Sequence, residues 1–112
     1  MIQTLRIFPI LFLSIALVIS CKKEDPEPVN TGDVTYEGDI KSIVSNNCSS
    51  CHFGSTPSAG LSLSSKSDVQ AAIESNNLLG RINNSSSPMP QGGLMSQGNR
   101  DKFQSWKDQG YN

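Results

Sequence analysis

A chain of 112 residues with 9 basic and 10 acidic side chains, a formal net charge of −1 and 36 % hydrophobic residues has room for one small folded domain. Its Lys and Arg residues are scattered, without the clustered basic face that nucleic-acid phosphates require, so nucleic acid is excluded as a partner. The same scatter gives no support to a charge-steered acidic partner.

Met1 to Ser20 reads as an export signal. Arg6 supplies a positive charge, the stretch from Ile7 to Ile19 is apolar except for Pro9 and Ser14, and small Ser20 ends it. The stretch is shorter than the ~20 apolar residues that a membrane-spanning helix needs. Val18-Ile19-Ser20-Cys21 resembles the lipobox of bacterial lipoproteins, which implies that Cys21 is lipidated and becomes the new N-terminus. Each buried methylene of an acyl chain contributes about 0.8 kcal/mol, so two or three chains suffice for anchoring. An ordinary signal peptide that happens to end beside a cysteine is the plainer alternative.

Residues 21–34 follow as a lipidated, flexible tether. Lys22 to Asp33 holds one apolar side chain and two prolines and shows no periodicity; a dozen residues reach at most about 40 Å. Lys22 directly after Cys21 is similar to the outer-membrane sorting pattern of Gram-negative lipoproteins. Glu24-Asp25 is similar to the surface-export signals of Bacteroidetes lipoproteins. The expected location is therefore outside the cytoplasm, lipid-anchored to the outer membrane on its periplasmic or surface face.

Residues 35–112 form the folded domain, and the expected class is all-α. Asp39 to Asn47 puts Ile40, Ile43 and Val44 on one helical face and leads into Cys48. Ser67 to Ser75, with Ser67 as N-cap and Asp68 in the first turn, collects Val69, Ala72 and Ile73. A short turn of helix is expected over Leu78 to Ile82 and an extended piece at Leu61-Ser62-Leu63, while Ser, Asn, Pro and Gly make Asn83 to Gly93 a loop. The last helix spans Asn99 to Gln109, with Phe103 and Trp106 on a shared face and Gly110 as its left-handed terminator. A domain this small and polar has a marginal core.

Cys48-Ser49-Ser50-Cys51-His52 supplies what is missing. Cys-x-x-Cys-His is the attachment signature of c-type haem. The spacing lets both sulfurs reach the two vinyl groups on one porphyrin edge and sets His52 beneath the iron. Three other chemistries fit the motif less well. A thioredoxin-like pair follows a strand at a helix start, whereas an amphipathic helix precedes Cys48. A structural zinc centre needs four ligands, and with Cys21 lipidated the domain offers two cysteines and one histidine. A plain disulfide leaves His52 and the thin core unexplained.

With a single histidine in the chain, bis-histidine ligation of a haem iron is excluded, and methionine is the natural sixth ligand because His/Met iron serves electron carriers. Met89 lies in Ser87-Pro88-Met89-Pro90-Gln91-Gly92-Gly93, where prolines stiffen the loop and glycines let backbone approach a flat cofactor. Met95, just before the last helix, has the reading of a core side chain. An open or water-filled sixth position is the remaining alternative.

Tyr36-Glu37-Gly38-Asp39-Ile40-Lys41-Ser42-Ile43, the Cys-x-x-Cys-His motif, Gly60-Leu61-Ser62-Leu63-Ser64, Asp68-Val69, Met89-Pro90-Gln91-Gly92-Gly93 and Phe103 to Gly110 together resemble the class I-like cytochrome c domains of Bacteroidetes and planctomycetes. The departures from that pattern are Gln91 for a second proline and Lys107 for an apolar residue. The resemblance implies a small cytochrome c fold of three to four short helices and long loops around one covalent haem c, with first and last helices crossing. It implies Cys48 and Cys51 as thioether residues, His52 as proximal ligand and Met89 as distal ligand. The expected work is one-electron transfer to redox partner proteins, not catalysis. A haem enzyme or gas sensor with a dissociable Met89, and an electron-entry subunit of a larger oxidoreductase, are the alternatives.

Overall fold

The computed structural model describes residues 32–112. The expected signal peptide over 1–20, the lipidation cysteine Cys21 and all of the expected tether before Gly32 lie outside the described residues. Within them the protein is all-α, as composition and periodicity predict, and no helix is long and apolar enough to cross a membrane. A π-helical turn at Tyr36–Ile40 runs into α1 (Lys41–Asn47), followed by α2 (Ser49–His52), α3 (Lys66–Ser75), α4 (Leu78–Ile82) and α5 (Gln97–Asp108).

The first helical segment starts at Tyr36, three residues before the periodicity indicates, and it starts one residue wide. Thr35 Oγ1 accepts from the Gly38 N–H at 3.0 Å, while Asp39 Oδ2 accepts from the Thr35 N–H at 3.2 Å. This is the reciprocal arrangement of a capping box with its acid shifted one position along, because the turn is closed five residues apart, Ile40 N–H to Thr35 C=O. Glycine is required at 38: a Cβ there would sit 2.8 Å from Thr35 Oγ1. The Lys102 ammonium 2.8 Å from Asp39 Oδ1, helped by the Thr35 N–H, holds the Asp39 carboxyl below the usual carboxylate range and ties this turn to α5.

Two further boundaries differ from the sequence reading. The N-cap of α3 is Ser65, which accepts from the Asp68 N–H, whereas the Ser67 hydroxyl only meets Ser65 Oγ. Similarly, α5 is capped by Ser96 through the Asn99 N–H, so it begins at Gln97 despite the low helix propensity of Gly98. The expected extended piece at 61–63 pairs with no strand; its Leu63 N–H donates to the His52 carbonyl at 2.9 Å.

The core gathers the faces that the 3.6-residue period marks: Ile40, Ile43 and Val44; Val69, Ala72 and Ile73; Phe103 and Trp106. Leu63, Leu78, Ile82 and Met95 join them. So does Val34, 4 % exposed, although the expected tether runs to residue 34. α5 packs on the Tyr36–Ile40 turn and on α4, and α4 packs on α3. Trp106 is fully buried where α5 meets the Tyr36–Ile40 turn, its ring centroid 5.8 Å from that of Tyr36 and 4.8 Å, edge-on, from that of Tyr111. Its Nε1–H donates to the Asn112 carbonyl at 2.8 Å, which also accepts from the Tyr36 N–H at 3.1 Å. Val34 N–H donates to Gln109 Oε1 at 2.8 Å. Gly110, at φ +81°, ends α5 in the left-handed conformation expected of it. Burial, with the Glu74 carboxylate to which its hydroxyl donates, pushes the Tyr111 phenol up to about 12.

Candidate functional site

Cys48 is the joint between α1 and α2, with φ −123° and ψ −20°. Helical hydrogen bonding nevertheless passes through it, from Cys48 N–H to Val44 C=O at 2.8 Å and from His52 N–H to Cys48 C=O at 2.9 Å. Cys48, Cys51 and His52 therefore stand at i, i+3 and i+4 and share one face of a single turn. Cys48 is half-buried against the core, Cys51 exposed and His52 half-buried, and neither thiol is in a disulfide.

The imidazole of His52 is fixed from outside its own helix. Its Nδ1 lies 2.8 Å from the Leu61 carbonyl oxygen, which only accepts, so Nδ1 carries the proton. In the neutral ring this leaves the lone pair on Nε2, the arrangement that orients a metal-ligating histidine. The Leu61–Leu63 segment thus grips His52 twice, at the ring and at its backbone carbonyl. A backbone carbonyl leaves no mark in residue identity, which is why sequence reading did not single out Leu61 for this role.

Burial pushes the Cys48 thiol up from its ordinary value, with a smaller push from Cys51. A nucleophilic thiol of a Cys-x-x-Cys redox pair is shifted the other way, by a helix N-terminus or a nearby cation. No group of three or more His, Cys, Asp or Glu side chains converges among the described residues. A four-ligand zinc centre has no counterpart in them; an iron held by a porphyrin needs only two protein atoms.

Met89 is half-buried in the loop between α4 and α5, as the sequence predicts for 83–93. Its N–H donates to the Arg81 carbonyl at the end of α4, at 3.1 Å, and Asn84 Oδ1 pins the preceding turn by accepting from the Ser86 and Ser87 N–H groups. Gly93 has φ +133° and needs glycine for that reason. Gly92 has no such backbone demand, and a Cβ on it would meet nothing within 4 Å. The bare backbone at 92 leaves that side of the loop open to close approach. Met95 sits in the core at 8 % exposure, the place its plain reading gives it.

The donor set and its surroundings fit a c-type haem. Two thiols and an Nε2 lone pair share one face, a thioether lies on a loop with a bare glycine, and apolar side chains at Cys48, Phe53, Leu61 and Leu79 stay only partly covered at the core's edge. Leu94, beside the same glycines, is 41 % exposed. These are side chains to which a buried macrocycle offers cover. Comparison of the chain with protein-family models, with curated proteins and with solved structures finds no match, so the functional reading rests on this arrangement.

Proposed function

We propose that the protein is a one-electron carrier with a single covalent haem c, and that its domain has the cytochrome c fold. The observation that carries the reading is the His52 ring, placed on one face with both thiols and held by the Leu61 carbonyl in the tautomer that presents Nε2. Cys48 and Cys51 would hold the group covalently, as thioethers formed from their thiols and its vinyl groups. His52 Nε2 and Met89 Sδ would hold its iron. When bound, the haem supplies the ferric/ferrous couple, whose potential is set by axial ligand identity and burial. The residues do the rest. Leu61 holds the His52 proton away from the iron side, the Arg81 carbonyl holds the Met89 backbone, and the apolar edge excludes water. The one histidine of the chain is committed to iron in this reading, which supports electron transfer over acid–base catalysis by that side chain.

The purified protein is expected to give the pyridine haemochrome spectrum of two thioether bonds, and the ferric form the weak long-wavelength methionine-to-iron band. Met89→Ala should abolish that band while leaving the haemochrome spectrum unchanged. Rapid binding of carbon monoxide to ferrous protein with Met89 intact would point to an open distal site and hence to the gas-binding alternative.

The partners are redox proteins outside the cytoplasm, met from a lipid anchor on Cys21 in the outer membrane. Cys21→Ser is expected to move the protein from the membrane fraction to the soluble one; retention in the membrane fraction would show that something other than this lipid holds it.

A further inference from the structure

The segment from Asn83 to Met95 carries Met89 and has no regular element of its own. Both of its ends meet at one side chain. Arg100, half-buried on the first turn of α5, donates from Nε to the Met95 carbonyl at 3.1 Å, from Nη1 to Asn83 Oδ1 at 2.8 Å and from Nη2 to Gln97 Oε1 at 2.6 Å. Asn83 is itself oriented, because its Nδ2 donates to the Leu79 carbonyl at 2.9 Å. A single guanidinium therefore joins the residue at which the chain leaves α4 to the residue at which it enters the core before α5.

All three acceptors are neutral. Lys41, Lys102 and Lys107 each face a carboxylate, but no ion pair to Arg100 occurs among the described residues. Arg100 is thus used for its fork, three N–H groups diverging in a plane, and not for charge neutralisation. A lysine ammonium is a point charge on a flexible stem and cannot span the same three acceptors.

We propose that Arg100 is a positioning residue for Met89: by tying Asn83 to the Met95 carbonyl it closes the loop and holds the Met89 thioether on the iron. This rests on the haem reading above. Freeing either end lengthens the flexible path on which Met89 rides and lowers the cost of opening it. The clamp favours a carrier that keeps six ligands over a sensor that exchanges one.

The test uses the full-length haem-bearing protein and compares wild type, Arg100→Lys, Arg100→Met, Asn83→Ala and the Arg100→Met/Asn83→Ala double variant. Met89 dissociation is read as the rate of carbon monoxide binding to ferrous protein. A hydrogen bond from a charged donor is enough to shift a two-state equilibrium about tenfold, so Arg100→Met and Arg100→Lys should both bind about tenfold faster. Asn83→Ala should move the rate in the same direction, and the double variant should add nothing beyond Arg100→Met, because the two residues act as one unit. Wild-type rates in both Arg100 variants, or full additivity, would overturn the proposal. A residue that only stabilised the fold would lower the unfolding midpoint and leave the rate of the folded protein unchanged.

Failure of the underlying reading looks different. If wild type itself lacks the methionine-to-iron band, Met89 is not the ligand. The clamp is then judged by amide hydrogen exchange at Met89, whose N–H is bonded to Arg81. Arg100→Met should speed that exchange by about tenfold, and an unchanged rate rejects the clamp.

Discussion

Haem-dependent staining of the protein after denaturing electrophoresis is expected to vanish when Cys48 and Cys51 are both replaced by serine. The two thiols are the described cysteines, neither is in a disulfide, and both lie on the His52 face of one helical turn. Serine keeps their size but cannot form a thioether. Each single variant should retain staining through the remaining bond, and its pyridine haemochrome band should move to longer wavelength because one vinyl group stays unsaturated. Staining that survives the double replacement would place any covalent haem elsewhere and remove the basis of the carrier reading. The double variant should also lose much of its helical circular dichroism. Phe53, Leu61 and Leu79 are only partly covered by protein, and in a domain of this size a bound macrocycle would supply the missing part of the core.

The second large effect concerns Trp106. Truncating a fully buried tryptophan costs ~3–5 kcal/mol, set against a total of ~5–15 kcal/mol for an ordinary domain. Here Trp106→Ala also removes the Nε1–H bond to Asn112 and parts the Tyr36 and Tyr111 rings that pack on either side. The haem-bearing variant should show a denaturant midpoint lowered by a large fraction, with the axial spectrum unchanged in the folded state. Trp106→Phe keeps most of the buried area and loses the hydrogen bond, so its cost should be nearer 1 kcal/mol. Equal losses for the two variants would mean that the hydrogen bond to Asn112, and not the packing, holds α5 to the Tyr36–Ile40 turn.

How much of this was readable beforehand divides along physical lines. The buried faces followed from spacing, since Ile40/Ile43/Val44, Val69/Ala72/Ile73 and Phe103/Trp106 repeat at the helical period and burial obeys that period. The start of the first segment did not, because a π turn widens the repeat by one residue and moves the acid of the cap from position 38 to Asp39. The cap of α3 fell two residues earlier than expected, since several serines compete there and only geometry decides which hydroxyl reaches the free N–H, and α5 starts two residues early because the Ser96 cap carries the helix through Gly98. At the site, the cysteines, His52 and Met89 were legible from residue type. The groups that orient them were not: the Leu61 and Arg81 carbonyls belong to the backbone, and Arg100 acts across a loop with neutral partners that give no charge pattern.

The hydrogen bonds from Val34 to Gln109 and from Tyr36 to Asn112 bring the first and last described parts of the domain side by side. A unit whose entry and exit coincide can be spliced into a surface loop of another protein, or strung between neighbours, without opening its fold. The same clasp that seals the core around Trp106 thus holds the first and last described parts at one place, away from any need to open the fold.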